Sequence, residues 1–117
     1  MVVAKVAIIT IAIIIAVVKA FAYGHGDIEI SKKLEKIGVY ALWVSDIEEA
    51  IKLRKAEIGG KIIVANPGYQ SYDEIIKYDL DVIVYNQKLL SLYCTKKSLI
   101  NIHLKFNTGI FTNLSHD

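Results

Sequence analysis

Short apolar segments rich in isoleucine and valine alternate along the chain with amphipathic segments. Continuous apolar runs of this kind are typical of strands that are buried on both faces of a parallel sheet. The predicted strands are residues 13–19, 39–45, 61–65, 81–85 and 100–106. Helices are predicted in the four intervals between them, with Asp27, Asp46 and Ser71 as N-caps of the first three and the fourth over residues 87–97. This regular β-α order predicts a parallel α/β architecture.

Two parallel architectures agree with this order. A closed (β/α)8 barrel takes about 250 residues, so five strands in 117 residues are a little over half of one. The alternative is an open doubly wound sheet, and the pattern alone does not separate the two. No Gly-x-Gly-x-x-Gly follows a predicted strand, and the sequence has no Walker loop, zinc-binding cysteine pairs or nucleophile elbow.

Charge and cysteine usage exclude several classes of protein. The net charge of +2 comes from 14 basic and 12 acidic residues mixed along the chain, so we expect no nucleic-acid partner. The single cysteine, Cys94, excludes an internal disulfide and agrees with the reducing cytoplasm. We interpret Cys94 as a small core residue, because no catalytic motif surrounds it.

The amino terminus allows three interpretations. The stretch from Val6 to Val18 is uncharged and follows Lys5, but a membrane span usually needs about 20 apolar residues. A signal peptide is also compatible, because Ala20-Phe21-Ala22 has the small-x-small form. The abundance of β-branched residues favours a buried strand for the second half. We therefore treat residues 1–12 as an apolar extension, with membrane association through residues 1–18 as the alternative.

One motif points to chemistry. The first predicted strand runs into Val-Val-Lys-Ala-Phe-Ala-Tyr-Gly-His-Gly, residues 17–26, in which the lysine is Lys19. A charged ammonium at the end of a buried strand is costly, which favours the neutral amine that Schiff-base formation needs. The run resembles the signature of alanine racemases, in which this lysine holds pyridoxal 5′-phosphate and asparagine is usual where Phe21 stands.

The resemblance continues along the chain. Residues 38–50 and 61–64 are similar to the strands and the acidic helix that follow in the family, and residues 103–109 resemble its H-x-K-x-D-T-G-M segment. The similarity covers residues 13–110 and implies a partial (β/α)8 TIM-type barrel of about five parallel strands and four helices. Residues 111–117 are left as a carboxyl-terminal tail. In the family the barrel precedes a β-rich domain and the enzyme is a head-to-tail dimer.

The resemblance also implies roles for three residues. Lys19 would form the Schiff base with pyridoxal 5′-phosphate and then act as the base on one face of the amino-acid substrate. Tyr23 would hydrogen-bond the cofactor phosphate, and Lys105 would support an arginine near the cofactor ring oxygen. The implied function is the interconversion of L-alanine and D-alanine, and no metal is expected.

The chain departs from the family in ways that bear on activity. Asn107 replaces the usual aspartate, and the arginine position falls on Thr112. The last three barrel strands, the second domain and the opposing tyrosine base have no counterpart, so we expect a truncated chain with negligible racemisation alone and a tendency to self-associate. The alternatives are a non-catalytic cofactor-binding or membrane-associated fragment, or part of a membrane-bound serine/alanine racemase.

For the remaining polar residues of interest, structural or solvated roles are predicted, with one alternative for His25. His25 is predicted either to steer a cofactor loop or to be solvated, and His103 to be a hydrogen-bonded core residue. We interpret Glu48 and Glu49 as a solvated helix face.

Overall fold

The computed structural model describes residues 13–96 and 99–106. Its five strands are β1 (Ile15–Val17), β2 (Ala41–Asp46), β3 (Lys61–Asn66), β4 (Asp81–Val84) and β5 (Ile102–Leu104). Its right-handed helices are α1 (Asp27–Lys36), α2 (Ile47–Lys55), α3 (Tyr72–Lys77) and α4 (Gln87–Cys94). A further helical segment, Lys19–Tyr23, is left-handed. The predicted N-terminal extension, Asn107, Thr112 and the predicted tail lie outside the described residues.

The strands form one parallel sheet in the order β1-β2-β3-β4-β5. The predicted order and direction are therefore confirmed. In a doubly wound sheet the strand order reverses at a switch point, whereas here each strand pairs with its successor along the chain. This succession is that of a (β/α)8 barrel, and it confirms the predicted partial barrel over the alternative.

The two faces of the sheet are packed differently. On the face that carries the helices, a large buried cluster joins strand residues such as Leu42, Val64 and Val82 to helix residues such as Leu53 and Leu89. On the opposite face, the buried cluster is small, with these members: Ala41, Ile63, Ile83 and the partly buried Trp43. Burying a Val, Leu or Ile side chain is worth about 1.5–3 kcal/mol, so the helix-covered face carries most of the stability.

Side chains at the helix termini account for where the helices begin. Asp46 caps α2 by accepting a hydrogen bond from the Glu49 N–H at 2.9 Å, as predicted. Asn86 caps α4 in the same way through the Leu89 N–H at 2.8 Å. The prediction for Asp27 was wrong, because Gly26 occupies the N-cap position and Asp27 is the first residue of α1. The Ser71 side chain makes no capping hydrogen bond.

Arg54 links the turns that precede β3 and β4. Its guanidinium donates to the carbonyl oxygens of Ile58 and Gly60, both at 2.7 Å, and to those of Tyr78 and Asp79, both at 2.8 Å. Burial lowers the pKa of Arg54 from its ordinary value, against the opposing charge of nearby carboxylates. Four backbone acceptors on one planar group hold the amino ends of these two strands in register.

Within the described residues, the outer edges of β1 and β5 pair with no strand. Apolar side chains are correspondingly exposed there: Ile15, Val17, Leu104 and Phe106.

Cys94 is also exposed, so its interpretation as a core residue was wrong. The reason is that α4 turns Leu89 and Tyr93 toward the core, which leaves the next position facing solvent. Among the described residues, no helix has the length and apolar character that crossing a membrane requires.

Candidate active site at the carboxyl edge of the sheet

Lys19 follows β1 at the carboxyl edge of the sheet. The Val18 N–H still donates to the Trp43 carbonyl oxygen at 2.9 Å, and Val18 is buried. Lys19 comes next, is half-buried and begins the left-handed segment. Within residues 13–96 and 99–106, no hydrogen bond or ion pair reaches its amine. A primary amine therefore stands uncommitted at the edge where active sites of parallel barrels assemble.

The chain after Lys19 makes a left-handed turn. Ala20, Phe21, Ala22 and Tyr23 have φ angles of 52°, 57°, 51° and 55°. This conformation costs roughly 1–2 kcal/mol for each residue that is not glycine. Such strain persists only where surrounding contacts hold it, and it is concentrated at functional sites. The glycine-rich loop was predicted after Lys19, but the left-handed turn was not.

Glu49 holds the start of this turn. Its Oε1 accepts a hydrogen bond from the Ala20 N–H at 2.9 Å, and its Oε2 accepts one from the Ser45 N–H at 2.7 Å. The interpretation of Glu49 as part of a solvated helix face was therefore wrong; Glu48 beside it is exposed, as expected. Capping by Asp46 places Glu49 in the first turn of α2, from which its carboxylate reaches back over the end of β2.

Lys52 extends the contacts between α2 and the turn. Its Nζ lies 2.9 Å from Asp27 Oδ2 and 4.8 Å from the centroid of the Phe21 ring. Asp27 also accepts a hydrogen bond from the Ile28 N–H at 2.9 Å. Phe21, the residue that departs from the family signature, is thus covered on one side by a cation. A shallow depression lies beside these residues and the loop that follows.

Tyr23 and His25 lie on the exposed side of the same turn. Both side chains are exposed, and of the two interpretations of His25 the placement favours a solvated loop residue. Gly24 and Gly26 both have φ of 90°, and a Cβ built on either would meet no atom within 4 Å. The phenol of Tyr23 therefore shares an open surface with the glycine backbone, four residues after Lys19.

Lys105 lies at the same carboxyl edge but at the far end of the sheet. Its N–H donates to the Val84 carbonyl oxygen at 3.0 Å, and its side chain is exposed. Four strand spacings separate β5 from β1, about 19 Å along the sheet. Because all five strands are parallel, Lys19, Ala65 of β3 and Lys105 lie at the same edge of the sheet. The described structure does not bring Lys19 and Lys105 into contact.

A second polar cluster, the Asp81 cluster, was missed from the sequence. Asp81 opens β4 and is only 3% exposed. Its carboxylate contacts Lys61 Nζ at 3.0 Å, His103 Nε2 at 2.8 Å and Asn101 Nδ2 at 3.1 Å. The predicted hydrogen bond of His103 is present, but its side chain is 37% exposed, so the interpretation as a core residue was wrong. The signal available in the sequence was a charged residue opening each of two successive apolar strands, β3 and β4.

Electrostatics in the Asp81 cluster favour the charged forms of Asp81 and Lys61. Burial alone would raise the pKa of Asp81, but hydrogen bonds from His103, Asn101 and Lys61 outweigh it and hold that pKa below its ordinary value. The hydrogen bond to Asp81 in turn raises the pKa of Lys61. The cluster is therefore a satisfied ion pair near the amino ends of the strands, away from Lys19.

The fold and the lysine at its carboxyl edge define part of a (β/α) barrel that carries a candidate cofactor-binding amine. Residues 3–111 match the family model described as "Alanine racemase, N-terminal domain". The chain belongs to this family.

Individual relatives agree with the family match. The alanine racemase of Clostridium kluyveri is 41% identical over 102 residues, which cover 83% of this chain and 26% of the relative. The crystal structure of alanine racemase from E. faecalis superposes with a TM-score of 0.76 at 32% identity, covering 84% of this chain and 28% of that one. An alanine racemase from Clostridium difficile 630 in complex with cycloserine gives 0.68 at 31% identity, covering 79% and 26%. This chain spans about a quarter of the length of the relatives it matches.

Proposed function

We propose that this chain supplies the lysine-bearing barrel segment of a pyridoxal-phosphate-dependent racemase that interconverts L-alanine and D-alanine. The observation that carries the proposal is the placement of Lys19, a half-buried amine that directly follows the buried Val18 and has no hydrogen bond or ion pair among the described residues. The names of the relatives, alanine racemases, support the choice of substrate. The proposed location is the cytoplasm.

The residues around Lys19 fit this cofactor. An aldehyde requires a primary amine, and a phosphate requires donors and room. Lys19 offers the amine, Tyr23 offers an exposed hydroxyl, and the space beside Gly24 and Gly26 is open. Pyridoxal 5′-phosphate, when bound, supplies an electron sink for the negative charge left at the substrate Cα.

The chain's own residues then have distinct roles. Lys19 holds the cofactor and moves a proton at the substrate Cα from one face. The Tyr23 hydroxyl donates to a phosphate oxygen. Lys105, at the distant end of the same edge, would support the site, as the resemblance implies. Racemisation also needs a proton-transfer group on the opposite face, and we assign no described residue to that role.

The partners proposed are an amino acid and further copies of the chain. Exposed apolar side chains along the outer edges of β1 and β5, including Val17 and Leu104, support self-association. Sedimentation over a range of concentrations tests this point. A sedimentation coefficient that stays at the monomer value throughout would contradict it.

Trapping of the cofactor tests the role of Lys19. The Lys19 amine condenses with the aldehyde with loss of one water, and borohydride then reduces the linkage to a stable secondary amine. Peptide mass analysis should locate the adduct on Lys19, and Lys19→Ala should abolish it. Lys32→Ala, which removes an exposed lysine of α1, is the matched control. Adducts spread evenly over surface lysines in every variant would contradict the assignment of Lys19 as the cofactor-binding lysine.

The same preparation separates the racemase segment from the alternative of a non-catalytic cofactor-binding module. Losing one positioned acid–base group typically costs 10²–10⁴-fold in rate, so we expect negligible alanine racemisation by the 117-residue chain alone. Adding a protein that supplies the remainder of the fold should restore turnover in a Lys19-dependent way. Specific trapping on Lys19 without any restored turnover would favour the non-catalytic module.

A further inference from the structure

The ladder between β1 and β2 ends at the residue that carries the candidate chemistry. In a parallel ladder, a residue donates its N–H to one strand partner and accepts from the N–H two positions further along that partner. The Val18 N–H donates to the Trp43 carbonyl oxygen at 2.9 Å. Continuation of the ladder would have the Ser45 N–H donate to the Val18 carbonyl oxygen, and the Ala20 N–H to the Ser45 carbonyl oxygen.

Neither of these two bonds forms, because one carboxylate replaces them. The Val18 carbonyl oxygen accepts instead from the Ala22 N–H at 3.0 Å, which closes the left-handed turn. The Ser45 N–H donates to Glu49 Oε2 at 2.7 Å, and the Ala20 N–H donates to Glu49 Oε1 at 2.9 Å. Glu49 therefore satisfies both donors that the ladder loses, one from each strand.

The backbone of Lys19 is consequently held on both sides. Val18 before it is bonded to β2, and Ala20 after it is bonded to Glu49. Hydrogen bonds to a carboxylate are stronger than those between neutral groups, and the one from the Ser45 N–H is short, at 2.7 Å. Ala20 is also the first residue of the turn with positive φ, so the hydrogen bond to Glu49 holds the backbone where the strained conformation begins.

From this arrangement we infer that Glu49 is the positioning residue of Lys19. Its carboxylate ends the β1–β2 ladder and fixes the left-handed turn, so that the Lys19 amine and the Tyr23 hydroxyl leave the sheet at a set separation. The inference rests on the proposed function for the chemistry at Lys19. The two hydrogen bonds from the backbone to Glu49 do not depend on that function, and their effect can be measured separately.

Glu49→Gln in the full chain tests the inference, with Glu48→Gln as the matched control. The two residues are adjacent on α2, but Glu48 is exposed and takes no hydrogen bond within the described residues. A glutamine at position 49 can accept from one N–H, and its own NH2 group then faces the other. Amide hydrogen exchange at Ala20 and Ser45 should accelerate at least about tenfold. In Glu48→Gln it should not change.

The second readout is borohydride trapping of pyridoxal phosphate at Lys19. We expect Glu49→Gln to slow adduct formation on Lys19 by about tenfold, with adducts on other lysines unchanged. Glu49→Asp keeps the charge but is too short to reach both donors, so it should also be slow. Trapping at the normal rate in Glu49→Asp would show that charge alone is needed and would overturn the positioning role.

A stability control separates positioning from folding. Asn86→Ala removes the cap of α4, remote from Lys19, and should lower stability while leaving Lys19 trapping unchanged. An equal loss of trapping in Asn86→Ala would overturn the inference. If the unaltered chain shows no selectivity for Lys19, the proposed function fails. Amide exchange at Ala20 and Ser45 still tests whether Glu49 holds the backbone through its two hydrogen bonds. Unchanged exchange in Glu49→Gln would refute that.

Discussion

The sheet carries a polar centre at each end, and the two are built on opposite principles. At the carboxyl edge, Glu49 accepts from two backbone N–H groups and keeps four residues in a left-handed conformation. Near the amino ends of the strands, Asp81 accepts from three side chains, and β3, β4 and the segment 101–104 are tied together without strain.

The difference shows how one sheet separates function from stability. The carboxyl-edge centre interrupts backbone pairing, and the part of the chain that the structure describes gives the Lys19 amine no hydrogen bond or ion pair. In the Asp81 cluster, by contrast, the buried carboxylate accepts from three side chains. In parallel barrels, residues at the carboxyl ends of strands carry chemistry and those at the amino ends carry stability. Changes at the two centres should therefore affect different measurements.

The largest effect is expected from Asp81→Asn. Removing the buried negative charge leaves Lys61 and His103 with a weaker acceptor, although both are partly exposed and can turn toward water. We expect the free energy of unfolding to fall by about 2–3 kcal/mol, measured by urea denaturation. Lys19 trapping should stay at the normal rate in the folded variant. Asp73→Asn, on the exposed first turn of α3, is the control and should change stability by less than about 0.5 kcal/mol. A loss of Lys19 trapping in Asp81→Asn would contradict the separation of the two centres into one for chemistry and one for stability.

The next effect is the pH dependence of stability that the Asp81 cluster contributes. The folded-state pKa of Asp81 lies below its ordinary value of 3.8, so its stabilisation is complete above that value and is lost as the pH falls through the folded-state pKa. The pKa of Lys61 is raised above 10.5, so its contribution is complete below 10.5 and is lost as the pH rises through the folded-state pKa.

Urea titrations of the unaltered chain and of Asp81→Asn over pH measure this dependence. The difference in free energy of unfolding should be constant between the two limits and should shrink at either side. A difference between the unaltered chain and Asp81→Asn that does not change with pH would show that the ion pair adds nothing to stability.

The sheet could be predicted from the sequence because its determinants are local. Continuous runs of Ile and Val, with helix caps such as Asp46 between them, specify buried parallel strands and their order. Strand ends were less well predicted: β1 stops at Val17 because the chain leaves the sheet there, two residues before the predicted end. That departure depends on Glu49, which lies 29 residues beyond Ala20 in the chain.

The polar centres could not be predicted because their partners are distant in sequence. Ala-Phe-Ala has no preference for a left-handed turn, and the contacts with Glu49 and Lys52, which lie far along the chain, account for it. Glu48 and Glu49 look alike in the sequence, and the cap at Asp46 decides which of them turns back over β2. Asp81 and His103 are 22 residues apart, and their pairing follows only once β4 and β5 are aligned.

The smallest effect, and the sharpest test of stored strain, is expected from Ala20→Gly. Ala20 has φ of 52°, a conformation that glycine adopts without the cost of roughly 1–2 kcal/mol that other residues incur. Glycine also gives the unfolded chain more freedom, which costs about 0.5–1 kcal/mol. The net change in the free energy of unfolding should therefore be a gain of up to about 1 kcal/mol. Ala50→Gly, inside α2 and fully buried, is the matched control and should lose about 1 kcal/mol or more. Urea denaturation measures the change in free energy of unfolding for both variants. Trapping at Lys19 should slow in Ala20→Gly, because the relaxed turn fixes the amine less tightly. If both variants lost stability equally, the left-handed turn would hold no strain, and the contrast between the two centres would reduce to their different hydrogen-bond donors.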